Sequence, residues 1–141
     1  MSDLDPLIRV RKHNVEQKQK FLAALYREEE KLKEQRDTIE AQFLIEQEKT
    51  KLMPADMQGF FGAYAQSVKE RMENIDHKRA QIEQRIELAR EDMREAFADL
   101  KKIEIIDERR AKEEQEKIKK KESDILDEIA IEAFCRKNED A

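Results

Sequence analysis

The chain has 141 residues, 45% of them charged, with two glycines, two prolines, no tryptophan and a net charge of −5. That composition argues against a compact globular domain and reads as long helix or coiled coil, with disorder as the competing possibility. The near balance of 29 basic and 34 acidic side chains gives no reason to expect a nucleic-acid partner. The single cysteine, Cys135, leaves no internal disulfide. No apolar run approaches the ~20 residues a membrane span requires. The opening "MSDLDPLIRV" has acidic residues first and no apolar signal core, so a cytoplasmic protein without direct membrane insertion is expected.

The first predicted element is a helix over about residues 6–53. Asp5 and Pro6 suit its start, since Asp can cap free amides and Pro has a pre-set φ for the first turn. Leu4, Ile8, Val15, Leu22, Leu25, Leu32, Ile39, Phe43 and Met53 fit a single heptad frame. Arg11, Lys18, Glu29, Arg36, Glu46 and Thr50 fall on the same frame and weaken the seam. Pro54 ends the run, because it has no amide hydrogen and restricts the residue before it.

The stretch "MPADMQGFFGAY", Met53 to Tyr64, holds both glycines and three of the aromatics, and a turn is predicted at about 54–60. Met57, Phe60 and Tyr64 cluster there beyond what a seam needs. They either plug the end of a helical hairpin or form a docking patch.

A second helix is predicted over about 61–137. From Phe61 through Ala65, Val68, Met72, Ile75, Arg79, Ile82, Ile86, Ala89, Met93, Ala96 and Leu100 to Ile103, its frame residues alternate by four and three, and only Arg79 is polar. Chance would rarely sustain that spacing, so helix is preferred over disorder. Two such helices with a short break fold back as an antiparallel hairpin. The predicted architecture is therefore all-α, a single coiled-coil domain over residues 1–141 with helix 2 overhanging at the C-terminal end.

Folding near Met57 sets Ile39 opposite Ile75, Leu32 opposite Ile82 and Leu22 near Met93. The same register puts Arg36 beside Arg79, an unfavourable pair unless Glu40 and Glu83 screen it. Helix 1 runs out opposite Asp107, and there the frame loses its apolar residues, reading Asp107, Arg110, Glu114, Lys117 and Lys121. At ~1.5 Å rise per residue the paired part would be roughly 70 Å long and the overhang about 45 Å.

No catalytic pattern is present: no phosphate-binding glycine loop, no nucleophile with a base at readable spacing, no HExxH or CxxC. His13 and His77 read as surface histidines and Cys135 as an incidental thiol, so neither metal nor cofactor is expected. The run "KIKKKE", Lys117 to Glu122, is bracketed by acids and reads as a solvated helix face. The overhang nevertheless carries an apolar stripe, Ile118, Ile125, Leu126, Ile129, Ala130, Ala133 and Phe134, without an intramolecular partner. Leaving each large side chain bare is unfavourable by ~1.5–3 kcal/mol relative to burial, so a partner protein, a second copy or, in another register, the N-terminal part of helix 1 should cover it, with a partner favoured.

"AREDMREAFADLKKIEIIDERR" (Ala89–Arg110), the later "DILDEIAIEAF" (Asp124–Phe134) and the opening "LDPLIRVRKHNVEQKQ" together resemble the FliJ family of bacterial flagellar export proteins, with the similar YscO-type proteins of virulence secretion systems beside it. The resemblance implies an antiparallel two-helix coiled coil similar to the rotor-stalk helices of rotary ATPase γ subunits, monomeric in isolation. It implies a non-enzymatic role, with the end bearing both termini engaging the hexameric export ATPase (FliI) and the turn region contacting the cytoplasmic domain of the export gate (FlhA). Export chaperones are further implied partners. Function would then lie in flagellum biogenesis and motility, at the cytoplasmic face of the inner membrane.

On that resemblance, Ile125, Leu126, Ile129 and Phe134 are ATPase-facing candidates, and Arg9, Arg11, Lys12, Arg109 and Arg110 could meet acidic pore loops. Phe60, Phe61, Tyr64, Ala65, Val68 and Met72 are candidates for the gate contact. The equivalent stalk of a virulence secretion system, or a generic coiled-coil scaffold or homodimer, is the alternative reading.

Overall fold

A computed structural model of the chain describes residues 3–139. It contains two α-helices, α1 (Asp5–Lys51) and α2 (Gly59–Glu139), and no strand among the described residues. The helices pack against each other as a hairpin. Residues 13–97 form one compact unit, and residues 3–12 with 98–139 form a second.

In the 13–97 unit, antiparallel stretches of α1 and α2 enclose a core of Leu22, Leu25, Ile82, Ile86 and Ala89, with Leu32 and Met93 packed against it. Leu25, 1% exposed, is the most completely enclosed of the large side chains. Branched Ile82 and Ile86 are followed along α2 by small Ala89 and Ala96, and Leu22 and Leu25 of α1 pack with Ile82, Ile86 and Ala89. The polar frame residues Lys18, Glu29, Arg36 and Arg79 are half-buried. Their aliphatic stems cover the seam.

One expected clash does not occur. Arg36 donates from Nε to Asp76 Oδ1 at 2.8 Å, with a longer Nη2 contact to Oδ2 at 3.5 Å, and lies 3.6 Å from Glu40. Arg36 therefore points almost one turn nearer the connection than Arg79, to a carboxylate that heptad arithmetic had not selected. The hydrogen bond to Asp76 and its charge raise the Arg36 pKa, so the guanidinium stays ionised. Arg79 keeps a half-buried guanidinium whose Nε has no hydrogen-bond partner. A second cross-helix link joins Arg90 Nε to Tyr26 Oη at 2.8 Å, with the guanidinium carbon 5.7 Å from the ring centroid.

The connection is built without left-handed residues: neither glycine has positive φ. Helix α1 stops at Lys51, two residues short of the predicted Met53. Leu52 and Met53 instead donate to Lys49 O and Thr50 O in tightened i→i+3 turns. Pro54 cannot supply the next amide. The Gln58 side chain donates to Met53 O at 3.1 Å and Thr50 O at 3.4 Å, satisfying carbonyls that the helix end leaves open. Helix α2 starts at Gly59, slightly before the predicted Phe61, as Phe60 and Phe61 donate to Met57 O and Gln58 O.

A Cβ at Gly62, in the first turn of α2, would meet nothing within 4 Å. Gly62→Ala is therefore expected to raise stability by roughly 0.5–1 kcal/mol by removing backbone freedom from the unfolded chain. Urea unfolding followed by circular dichroism checks it, and no gain would mean that the glycine serves the turn.

In the second unit, Leu4, Ile8 and Arg11 of the N-terminal stretch are half-buried, as are Ile103 and Asp107, and Leu100 is buried. The expected run-out at Asp107 is observed. Every residue from Glu108 to Glu139 is exposed, yet α2 continues unbroken. Past Gly62 it contains neither Gly nor Pro, and its surface is dense in Glu, Lys and Arg, all strong helix formers.

Candidate functional site

The exposed part of α2 has no packing role, so its apolar side chains are the first place to look for a contact surface. Ile118, Ile125, Leu126, Ile129 and Phe134 are all exposed, the last four between 56% and 66%. With 100° per residue, Ile118, Ile125 and Ile129 share one line along the helix, Leu126 widens it to one side, and Phe134 turns about 160° away from Ile118. Ile131, 64% exposed, stands on the opposite side and lay outside the predicted stripe. The C-terminal three turns are thus apolar on more than one face, which period analysis aimed at a single seam does not detect.

Among the basic candidates in this unit, Arg9, Lys12, Arg109 and Arg110 are exposed, whereas Arg11 is half-buried with its Nε unpartnered. Arg109 borders a shallow groove with Ile105, Glu108, Lys112 and Gln115. Ile105 and Ile106, just before it, are also partly open to solvent, at 46% and 44%.

The aromatic residues around the connection divide. Phe61 stacks on Phe43 with ring centroids 5.6 Å apart and planes 23° apart, and Tyr64 lies 6.3 Å from Phe43 and 6.0 Å from Phe61. These three rings are half-buried and close the end of the seam, each pair contributing about 0.5–1.5 kcal/mol beyond area burial. Phe60 remains outside at 79% exposure, beside a connection whose Leu52 and Met57 are 89% and 56% exposed. Val68 is buried and Met72 half-buried, so both belong to the seam. Phe60 is thus the most exposed of the gate candidates, and Leu52 was missed because the helix was expected to continue through it.

Among the described residues, no group of three or more His, Cys, Asp or Glu side chains is placed to hold a metal ion. His77 approaches only Gln81, at 3.3 Å, and Cys135 is an exposed free thiol. No described helix is long and apolar enough to cross a membrane.

Against protein-family models, the chain matches that of the flagellar FliJ protein over residues 1–139. No curated protein and no solved structure matches it. A charged coiled coil can match another over a few heptads by periodicity alone. This match instead runs through both helices and the turn between them, and by it the chain belongs to the flagellar FliJ protein family.

Proposed function

We propose that this protein, by its family a non-enzymatic component of the flagellar export apparatus, is a stalk and adaptor. It would bind the hexameric export ATPase through the C-terminal part of α2 and the cytoplasmic domain of the export gate through the turn region. It would promote assembly of the ATPase ring and couple hydrolysis to export, and so to flagellum biogenesis and motility, while held peripherally at the flagellar base. Export chaperones are further partners in this reading.

The observation that carries it is the bare helix from Glu108 to Glu139 with its exposed Ile118, Ile125, Leu126, Ile129 and Phe134. A single helix that buries none of these side chains has no reason of its own to be apolar. Exposed Arg109 and Arg110 add charge suited to acidic pore loops.

The test is ATP hydrolysis by the cognate export ATPase at dilution, with and without this protein, together with sedimentation of both. Stimulation accompanied by hexamer formation is the expected result. No stimulation and no binding would remove the ATPase role. A concentration-dependent dimer of the protein alone, lost when Ile125 and Ile129 are changed, would assign the stripe to self-association.

For the turn region, Phe60→Ala is expected to weaken binding to the purified gate domain by about tenfold or more without lowering the melting temperature, since the ring packs on nothing that a substitution would empty. Phe43→Ala should do the reverse first, lowering the melting temperature by removing the centre of the ring stack. Calorimetric titration beside thermal melts separates the two, and unchanged gate affinity in Phe60→Ala would move that contact elsewhere.

A further inference from the structure

One flank of the 13–97 hairpin carries a charge pattern that neither the seam nor the proposed contacts use. Along α2, Arg71, Lys78 and Arg85 recur every seven residues and form a line beside the seam. Across from them, α1 contributes Glu28, Lys31, Gln35 and Thr38. Between the two strips run adjoining grooves of about 620 and 400 Å³ that share Lys31 and Gln35. Leu32, Ile39, Ile75 and Ile82 line them at the seam.

Flanking positions of a coiled coil ordinarily pair opposite charges across the seam. Here the two grooves carry four cations, Lys31, Arg71, Lys78 and Arg85, against two carboxylates, Glu28 and Glu34, an excess of two positive charges. Arg85 alone has a counter-charge, Glu28 at 3.9 Å. Lys31, Arg71 and Lys78 form no ion pair among the described residues.

The opposite flank is acidic on balance, with Asp37, Glu40, Glu73, Asp76 and Glu83 against Arg36 and Lys69. In a chain of net charge −5, the basic strip is therefore a local arrangement and not the average surface. The same flank also bears two exposed apolar side chains. Phe21 stands seven residues before Glu28 at 50% exposure, and Leu88 three residues after Arg85 at 69%.

We propose that this flank docks an acidic amphipathic helix of a partner protein. Its carboxylates would meet Lys31, Arg71 and Lys78, and its apolar stripe would cover Phe21 and Leu88. Cations seven residues apart stand about 10.5 Å apart along α2, the spacing that carboxylates seven apart on a second helix would match. A second copy of this chain fits poorly. Twofold pairing through this flank would set cation against cation, and pairing of the basic flank with the acidic one is head-to-tail and does not close. This inference stands apart from the proposed stalk role and uses none of its residues.

The test is fluorescence anisotropy on the full chain. The probe is a labelled helical peptide of about 20 residues with Glu every seventh position beside a Leu stripe. A companion peptide carries Lys at those positions, and vesicles containing phosphatidylserine form a third arm. The acidic peptide is expected to bind in a salt-sensitive way, at least about tenfold more tightly than its Lys companion. Arg71→Glu/Lys78→Glu and, separately, Phe21→Ser/Leu88→Ser should each weaken it by about tenfold. Lys69→Glu, on the acidic flank, should not. Melting curves report on folding, and Arg71→Gln/Lys78→Gln serves if charge reversal unfolds the hairpin. Equal binding of the two peptides, no binding, or indifference to the flank variants overturns the proposal. Vesicle binding that is stronger than peptide binding and lost in Arg71→Glu/Lys78→Glu overturns it too and assigns the flank to lipid.

Discussion

Changing Ile125 and Ile129 together to Asp is expected to abolish stimulation of the export ATPase while leaving the main melting transition of the protein unchanged. Both side chains are 56% exposed and stand four residues apart on one line of the exposed part of α2. Their removal takes no contact from either compact unit. Against a partner the situation reverses. Each isoleucine buried contributes ~1.5–3 kcal/mol, and an aspartate in its place presents a charge to an apolar surface. Two such changes should weaken binding by at least about 100-fold, since each 1.4 kcal/mol is a factor of about ten.

Asp is a weaker helix former than Ile, so local fraying is a competing cause of any loss. The Ile125→Ala/Ile129→Ala variant separates the two causes. Alanine raises helix propensity yet still removes most of the apolar contact. If the Ala variant stimulates fully and the Asp variant does not, helix integrity is the cause and the stripe is not the contact. Hydrolysis rates across a titration of each variant decide between them.

The second large effect lies in the core. Leu25→Ala is expected to destabilise the protein by about 2–5 kcal/mol, the range for deleting a fully buried leucine side chain. Leu25 is 1% exposed and is enclosed with Leu22, Ile82, Ile86 and Ala89. A two-helix seam has few layers, and the exposed ion pairs on its helix surfaces, such as Arg94–Glu91 at 3.1 Å, are worth about 0–1 kcal/mol each. One emptied layer therefore removes a large share of the total. Leu32→Ala, at a half-buried position on the edge of that cluster, should cost clearly less. Urea unfolding by circular dichroism measures both. Equal, small losses would mean that the seam repacks around the missing side chain and that layers act independently.

Much of this molecule is legible in its sequence because its packing is nearly one-dimensional. The heptad frame alone marks the inward positions: in α1 every frame residue from Leu4 to Thr50 is buried or half-buried, as is each one in α2 from Phe61 to Asp107. Helix content, the turn and the point where α2 loses its companion all follow from local period, from Pro54 and from the disparity in helix lengths. These are properties of neighbours in sequence. The exposed stripe on α2 was readable for the same reason, as an apolar period with no second helix left to cover it.

Other features depended on cross-helix offset and side-chain direction, which heptad arithmetic resolves only to about a turn. Arg36 had both Arg79 and Asp76 within reach, and less than one turn of offset decided for the carboxylate. Around the turn, Phe60 and Phe61 are adjacent, but 100° of helix rotation sends Phe61 onto Phe43 and Phe60 into solvent. The frame marked Phe61 as inward, but Phe60 and Tyr64 could not be ranked as plug or patch until the partner ring was placed. The basic flank is the third case: Arg71, Lys78 and Arg85 are unremarkable in a chain that is 45% charged, until α1 sets glutamine and threonine beside them where carboxylates would ordinarily stand. The sequence by itself determined which residues turn inward and roughly where the chain turns, because backbone period and turn chemistry are local. Only the tertiary structure decided which charges and rings meet across the seam, because that depends on an offset smaller than one helical turn.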